Sequence, residues 1–264
     1  MNLPVQIHPA FHAAGSEKSK RRPVRSLAAL TLASIGLLTG TVDANNPDTI
    51  HYPDLQTWRP YDLRIDRGGG RKLLRFSNTV ANRGQGPLEV APVNKPDGTT
   101  DGYQRLYSHG IAGNWYVAGQ AFVGTFSFHP EHNHWHFEDF ALYELRTVAP
   151  DGSVGAEVLR SSKVTFCMVD NTRDDSTLEH AAPQTYTTCG VEVPQGISVG
   201  WADTYPSWLP DQDLDITNVP SGDYWLISTA DPLNRLNEGG GTRELNNSSA
   251  VKFRLRGNKV QILQ

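Results

Sequence analysis

Four histidines stand close together near the middle of the chain, in the segment FHPEHNHWHF. They are His129, His132, His134 and His136, out of nine histidines in 264 residues. From His132 onward they recur at every second position, and side chains two apart in a β-strand point to the same side, about 6–7 Å apart. Three neutral imidazoles on one face can converge on one ion, and such donors suit Zn²⁺ or Cu²⁺. The spacing predicts a transition-metal site without choosing the metal.

The same spacing predicts a distorted strand. A flat strand would place the Cα atoms of His132 and His136 about 13 Å apart, close to the widest span that two imidazoles can bridge across one ion. We therefore expect a bend or bulge here, a feature common beside active sites. Two alternatives stay open: a histidine-rich surface patch with no fixed ligand, and core histidines bonded to the backbone.

The rest of the chain predicts strands joined by loops. Its 24 glycines and 17 prolines interrupt short apolar runs, and no segment shows the pattern of an amphipathic helix. The predicted strands cover residues 71–80, 88–93, 163–169, 224–229, 250–255 and 260–263. Residues 94–124 and 170–193 are predicted to be long loops, the first of them a wall or lid beside the histidines. The pattern indicates an all-β fold, an antiparallel β-sandwich with long loops and little helix.

Residues 1–44 have the features of a targeting segment. Basic residues between positions 18 and 25 precede the apolar run 27–38, which is short for a membrane span. Small residues at 42–44 offer a cleavage site, so we expect a mature single domain over 45–264 with no stable membrane span. An uncleaved anchor is the alternative, and Arg21-Arg22 fits twin-arginine export poorly. The expected location is the periplasm, the cell surface or the exterior.

Charge and cysteine content limit the class of protein further. The formal charge is −4 and no long basic run occurs outside the N-terminus, which argues against nucleic acid as a partner. Cys167 and Cys189 are the two cysteines. In an exported protein, an even number of cysteines is typical of disulfide bonding. A disulfide between these two would stabilise the fold by about 3 kcal/mol in the chain-entropy model. The alternative is two unpaired buried thiols.

Four ordered segments resemble the lysyl oxidase family of copper amine oxidases. They are LLRFSNTVANRGQGPLEV (73–90), HPEHNHWHFEDFALYEL (129–145), KVTFC (163–167) and WADTYPSWLPDQDLDITNVPSGDYWL (201–226). The resemblance extends from about residue 53 to residue 255 and is patchy through 94–126 and 170–195. We interpret the chain as a bacterial-type member of this family.

The resemblance implies a copper site and a cofactor made from two side chains. The implied copper ligands are His132, His134 and His136, with His129 at the non-ligand first position of the motif. The implied cofactor is lysine tyrosylquinone, formed from Lys163 and Tyr205. Taken without the family pattern, a lysine at a strand start is usually a solvated charge, and a tyrosine before proline usually packs in a turn.

Two further roles follow from the same resemblance or from position. Asp203, two residues before the tyrosine, is a candidate general base, and a surface aspartate or turn cap is the alternative. Asp54, Asn246 and Asn247 resemble the family's structural calcium site, in which two distant loops supply hard oxygen ligands. The alternative there is an ordinary turn aspartate and an asparagine pair.

The chain also departs from the animal members of the family. Those members carry a cysteine where Glu131 stands, another near Trp201 and another near Gln212. The expected disulfide frame is therefore thinner, which puts the rigidity of the loops in doubt while leaving the implied cofactor pair intact.

The implied activity is oxidative deamination of primary amines to aldehydes, with release of hydrogen peroxide and ammonia. Its expected partners are O₂ and a primary amine, which could be a protein lysine, a peptide or a small amine. Two other functions stay open: a non-catalytic copper- or zinc-binding exported protein of the same fold, and a zinc-dependent hydrolase that uses a metal-bound water.

Overall fold

Antiparallel β-strands supply nearly all of the regular structure. The computed structural model describes residues 49–110, 114–161 and 165–263, which contain seventeen strands and one 3₁₀ helix, Gly241–Leu245. The strands are β1 (Ile50–His51), β2 (Leu55–Thr57), β3 (Tyr61–Gly68), β4 (Arg71–Asn82), β5 (Leu88–Asn94), β6 (Thr100–His109), β7 (Trp115–His129), β8 (His134–Phe137), β9 (Ala141–Val148), β10 (Val154–Arg160), β11 (Thr172–Arg173), β12 (Gln195–Ile197), β13 (Trp201–Tyr205), β14 (Asp213–Asp215), β15 (Gly222–Ala230), β16 (Ser248–Arg256) and β17 (Lys259–Ile262). The prediction of an antiparallel all-β fold is confirmed.

The strands form three sheets. The histidine sheet has the order β12-β5-β6-β7-β8, with β1 also pairing with β6. The C-terminal sheet has the order β10-β9-β15-β16-β17. The third, the β4 sheet, has the order β11-β13-β4-β14, and β2 and β3 also pair with β4. His134 and His136 therefore lie in the edge strand of one sheet, while the implied cofactor tyrosine ends a strand of another.

The hydrophobic core lies between these sheets and follows the period of two that strands impose. In β4, Leu74 and Phe76 are fully buried, and the Phe76 ring meets Tyr143 of β9 edge-on at a centroid distance of 4.8 Å. Leu226 of β15 and Phe253 of β16 belong to the same buried cluster. Each such side chain contributes about 1.5–3 kcal/mol by leaving water, so the sheets are held together by their inward faces.

A turn lies between β7, which ends at His129, and β8, which carries His134 and His136. His132 and Asn133 lie between β7 and β8, and Asn133 has a φ of 56°, a left-handed conformation that asparagine tolerates. After this turn, β8 pairs with β7 so that His134 lies opposite His129. The expected bend is thus confirmed, because His132 reaches its neighbours from a turn instead of from a flat strand.

The prediction of a long loop over 94–124 is wrong. Most of this segment forms the hairpin of β6 and β7, paired from Thr100 opposite Phe126 to His109 opposite Trp115. Aromatic residues stabilise it across the strands, as in the edge-on contact of Tyr103 and Phe122 at 5.8 Å. The polar residues and glycines of the segment favour a loop by their local preference. Pairing between β6 and β7 stabilises strands there in spite of that preference.

The predicted strand over 163–169 is also wrong in its described part, 165–169. One isolated antiparallel bridge joins Phe166 to Phe137 of β8, and the neighbouring backbone groups bind side chains instead. The amide of Cys167 donates to the Tyr205 hydroxyl at 2.8 Å, and that of Met168 donates to Gln195 Oε1 at 3.2 Å. These side chains take the place of a neighbouring strand.

The remaining strand predictions agree with the structure, which places 71–80 in β4, 88–93 in β5, 224–229 in β15 and the terminal hairpin in β16 and β17. Of the helices in the described ranges, none is long and apolar enough to cross a membrane. The targeting segment 1–44 lies outside the described residues, so the division of the chain at residue 44 stays a prediction.

A close backbone approach at Gly196 predicts a large cost of substitution. A Cβ there would lie 2.2 Å from the carbonyl oxygen of Leu88 and 2.9 Å from the Tyr186 ring, so β12 could not keep its pairing with β5. We expect Gly196→Ala to lower the free energy of unfolding by about 2–4 kcal/mol in urea titrations. The control is Gly119→Ala in β7, where a Cβ meets nothing within 4 Å. Equal stability of the two variants would contradict the packing argument.

Candidate metal centre and active site

Three imidazole nitrogens meet where the β7–β8 turn enters β8. Nε2 of His136 lies 2.9 Å from Nε2 of His134 and 3.3 Å from Nδ1 of His132. Nitrogens that bind one ion at about 2.0–2.1 Å are themselves about 2.8–3.4 Å apart. His134 and His132 therefore each have, relative to His136, the spacing of two donors around one ion. His136 is fully buried, whereas the other two are partly exposed.

Neighbouring groups orient two of these rings. Nε2 of His132 lies 3.2 Å from the carbonyl oxygen of Pro210, which can only accept a hydrogen bond. The proton of a neutral His132 ring therefore belongs on Nε2, and the Nδ1 lone pair faces His136. Nδ1 of His136 lies 3.0 Å from the Thr165 hydroxyl, which can accept its proton and leave the Nε2 lone pair facing the cluster. Converging lone pairs are the arrangement that a bound cation stabilises.

The fourth histidine of the motif also packs against this group. The His129 ring stacks on His136 at a centroid distance of 4.7 Å and an interplanar angle of 24°. Ligand nitrogens of His129, His132 and His136 lie within 4.8 Å of one another. His129 also approaches two exposed carboxylates, with Nδ1 3.5 Å from Glu131 and Nε2 3.9 Å from Asp211. The structure thus brings all four histidines together.

Tyr205 lies beside the histidines, at the end of β13. Its ring centroid is 6.4 Å from that of His136 and 3.9 Å from that of Phe166, and its side chain is 5% exposed. Burial raises the pKa of its hydroxyl well above the ordinary value, and nearby Asp203 adds to the rise. The phenol is therefore held neutral and away from water. Lys163, its implied partner, lies outside the described residues.

The predicted disulfide is confirmed and borders the same site. Cys167 and Cys189 are bonded, with Cα atoms 5.4 Å apart. Cys189 also accepts a backbone hydrogen bond from Trp135 of β8 at 2.9 Å. The bond therefore attaches the loop that follows β11 to the segment that contacts Tyr205.

Asp203 is a buried carboxylate in the interior of β13. It is fully buried, so the surface and turn-cap alternatives for it are wrong. Oδ1 accepts a hydrogen bond from Asn171 at 2.8 Å, while Oδ2 is buried without a hydrogen bond. Burial raises the pKa of this carboxyl well above 3.8, and Asp170 raises it further. Its role as a base stays a prediction.

These groups line a cavity of about 290 Å³. Both polar and apolar side chains line the cavity: Glu131, His132, His134, Cys167, Val169, Asn171, Cys189, Asp203, Thr204, Tyr205, Leu209 and Pro210. Metal-motif histidines, the buried tyrosine and the buried carboxylate thus share one cavity of the size that a small organic group occupies.

Sequence reasoning missed three groups that hold this site. Thr165 lies in the segment KVTFC (163–167), which resembles the family, so its position in the sequence could have identified it. Asn171 carried no signal, because its contact with Asp203 crosses 32 positions. The carbonyl of Pro210 is a backbone atom 78 positions from His132, so only the fold could place it.

The three residues of the expected calcium site also meet. Asn246 donates to Asp54 at 2.8 Å, and Asn247 donates to the buried Glu238 at 2.6 Å. The Oδ1 atoms of both asparagines and Oε2 of Glu244 are buried without hydrogen bonds. The two glutamates were not predicted, and calcium itself stays a prediction.

The raised pKa of Asp203 predicts a pH dependence of stability. Between about pH 3.8 and the raised value, the folded protein keeps a proton that the unfolded chain releases, so stability falls as pH rises. We expect wild-type protein to lose up to about 1.4 kcal/mol per pH unit in this window relative to Asp203→Asn, which cannot ionise. Urea titrations of metal-free protein from pH 4 to 8 measure the difference. A difference that does not change with pH would contradict a buried, neutral Asp203.

Comparison with known proteins identifies the family of the chain. The sequence model of the family described as Lysyl oxidase matches residues 111–264. Lysyl oxidase homolog 1 of Homo sapiens is 33% identical over 173 residues, which are 65% of this chain and 22% of that protein. Lysyl oxidase homolog 2 is 30% identical over 193 residues in Xenopus laevis (73% of this chain, 20% of that protein) and 29% identical over 165 residues in Gallus gallus (62% and 16%). The matched part thus spans about a fifth of these relatives. The chain belongs to the lysyl oxidase family.

Proposed function

We propose that this protein is a copper-dependent amine oxidase whose cofactor, lysine tyrosylquinone, forms from Lys163 and Tyr205. The observation that carries the proposal is the convergence of three histidine nitrogens beside a buried tyrosine, in a chain of this family. The reaction converts a primary amine, O₂ and water into an aldehyde, ammonia and hydrogen peroxide.

The donor set and the tyrosine together favour copper over zinc. His132, His134 and His136 offer three imidazoles, which suit either metal. Zinc has no redox chemistry, whereas bound copper with O₂ would oxidise the Tyr205 phenol, and the finished cofactor would supply the two-electron oxidation of the amine. A buried phenol beside the histidines can become a quinone cofactor only beside a redox-active metal, which favours copper.

Local contacts suit Tyr205 for this role. The Phe166 ring covers one face, and the Cys167 amide donates to the hydroxyl oxygen, so the phenol has one position. Both contacts come from the segment that follows Lys163 in the sequence. Water is largely excluded, which protects a reactive ring from side reactions.

Asp203 suits the role of the base that takes a proton from the substrate carbon. A carboxyl with a raised pKa holds a proton more readily near neutral pH than an exposed one. A metal cation at the histidines would favour the ionised form of Asp203, which is the form that acts as a base. In that form Asn171 occupies Oδ1, and Oδ2 is the atom open to receive the proton. The side chain lies two positions from Tyr205 on the same strand, and alternation directs both to one face.

The expected substrate class is primary amines, including protein lysines, peptides and small amines. Glu131 borders the cavity and is 61% exposed, so it can attract an alkylammonium group before the amine enters. The disulfide supports an exported protein that works in an oxidising compartment after removal of residues 1–44. Calcium at Asp54, Asn246 and Asn247 would be structural.

The covalent link between Lys163 and Tyr205 is the central test. After copper reconstitution in air, a tryptic mass spectrum should show the two peptides joined, and phenylhydrazine should give a visible adduct. Lys163→Ala and Tyr205→Phe should each abolish the link, the adduct and amine-dependent peroxide release. The controls are Lys252→Ala and Tyr103→Phe, which change the same residue types elsewhere and should keep all three signals. Full amine oxidation in either site variant would refute the assignment.

The Thr165 contact predicts tuning of the metal affinity. Thr165→Val keeps the shape but removes the acceptor for Nδ1 of His136, so copper affinity should fall about 10–100-fold. Thr165→Ser keeps the hydroxyl and should bind copper nearly as tightly as wild type. Competition with a chelator of known affinity measures both. Equal affinities for the valine and serine variants would show that the hydroxyl does not orient this ligand.

A further inference from the structure

The described residues contain a second cluster of histidines, outside the metal motif. His51 in β1, His109 at the end of β6 and His180 in the loop after β11 come from distant parts of the sequence. Their ring centroids are 5.1 Å apart for His51 and His180, 5.9 Å for His109 and His180, and 6.4 Å for His51 and His109. The three proposed copper ligands have centroid distances of 4.8, 5.1 and 5.4 Å. By ring centroids the second cluster is only slightly wider than the first, but no three of its ligand atoms lie within 4.8 Å of one another, so its rings must rotate to bind one ion.

We propose that His51, His109 and His180, together with Glu179, form a second metal site that binds Zn²⁺. Oε1 of Glu179 lies 3.8 Å from Nε2 of His180, so a carboxylate stands ready as a fourth ligand. Zinc binds both imidazole nitrogens and carboxylate oxygens, and three imidazoles with one carboxylate give the four donors of a tetrahedral site. This inference does not rest on the proposed oxidase function.

The ring positions, though not their present orientations, are within reach of one ion. A zinc–nitrogen bond of about 2.0–2.1 Å puts each ring centroid about 3.2 Å from the ion, so two rings of a tetrahedral site lie about 5.2 Å apart. The pair His51 and His180 already has this spacing. His109 must approach by about 1 Å, and it can rotate because it is partly exposed at the end of its strand.

His51 carries the strongest sign that something binds here. Its side chain is 5% exposed, and its Nδ1 is buried without a hydrogen bond. A buried polar atom without a partner is costly and calls for an explanation such as a bound ion. The backbone cannot withdraw the ring, because the carbonyl of His51 lies against Gly86, where a Cβ would approach it to 2.0 Å.

The loop that carries His180 is held in place by its own contacts. His180 has a φ of 67°, a left-handed conformation that is unusual for a residue with a side chain. Next to it, the amide of Ala181 bonds to the carbonyl of Leu178 at 3.0 Å, and that of Ala182 bonds to Val199 at 3.1 Å. An ion would therefore join this loop to β1 and β6 and stabilise the edge of the histidine sheet.

The fluorescence of Trp115 can report whether a metal ion is bound at the second site. Its ring centroid is 5.0 Å from His51, 5.0 Å from His109 and 5.3 Å from His180. Cu²⁺ as a probe ion would quench the fluorescence of an indole this close, and Zn²⁺ that occupies the site first would prevent the quenching. Trp115→Phe should remove the quenched signal without removing the ion.

The test uses the full chain with the first site removed, as the variant His132→Ala/His134→Ala/His136→Ala. After dialysis against Zn²⁺, metal analysis should find one zinc per chain, and Trp115 should show quenching by Cu²⁺ that Zn²⁺ prevents. Adding His109→Gln and His180→Gln should abolish both signals, and Glu179→Gln should weaken zinc binding about tenfold. The matched control, His129→Gln in the same first-site variant, changes the one histidine of the described residues that remains outside the second cluster and should leave both signals unchanged.

Two outcomes would overturn the proposal. One is a first-site variant that folds, as judged by circular dichroism, but binds no zinc. The other is zinc retained after the changes at His109 and His180, which would place the ion elsewhere. Should the first-site variant not fold, wild-type protein with only His109→Gln and His180→Gln decides the matter, because it must bind one metal ion fewer than wild type.

Discussion

The candidate active site depends on one backbone bridge between Phe137 and Phe166. The amide of Phe137 donates to the carbonyl of Phe166 at 2.7 Å, and the amide of Phe166 donates back at 3.0 Å. This bridge fixes β8 against a segment whose other backbone contact with a strand is the hydrogen bond from Gly196 of β12 to Met168 at 2.9 Å. One side of it carries His136, and the other carries Thr165 and Cys167. A shift of the bridge would separate the metal ligand from its orienting hydroxyl and from the group that holds Tyr205.

Buried polar side chains organise the loop that surrounds the site. Asp170 is almost fully buried and accepts hydrogen bonds from the amides of Thr185, Tyr186 and Ser198 and from the Ser198 hydroxyl. One carboxylate therefore gives the long segment between β11 and β12 a fixed path without regular structure. The disulfide of Cys167 adds a covalent constraint to the same path, so a thin disulfide frame is compatible with an ordered loop.

Burial also sets the protonation states of the groups near Tyr205. Burial disfavours the ionisation of Asp203, and the nearby Asp170 disfavours it further. A neutral carboxyl and a neutral phenol can share a dry cavity, whereas two anions there would be costly. A metal cation at the histidines would favour the ionised forms of both groups and would therefore lower their raised pKa values. Metal binding and proton binding are therefore linked in this cavity.

The sequence by itself determined the family, the candidate site residues and much of the strand pattern. The alternating histidines, the cysteine pair and the four family segments are local patterns, and apolar alternation in β4 and β15 predicts strands wherever it occurs. Loop prediction over 94–124 failed because polar and glycine-rich composition describes local preference, while β6 and β7 are stabilised by pairs across the hairpin.

Only the tertiary structure decided which groups meet. It placed the carbonyl of Pro210 against His132 and buried Asp203, and it gathered His51, His109 and His180 from three distant segments. Such contacts join positions tens of residues apart and leave no mark in local periodicity. They arise from the register and packing of whole sheets, because core burial fixes which strand lies beside which, and polar side chains then meet where the sheets end.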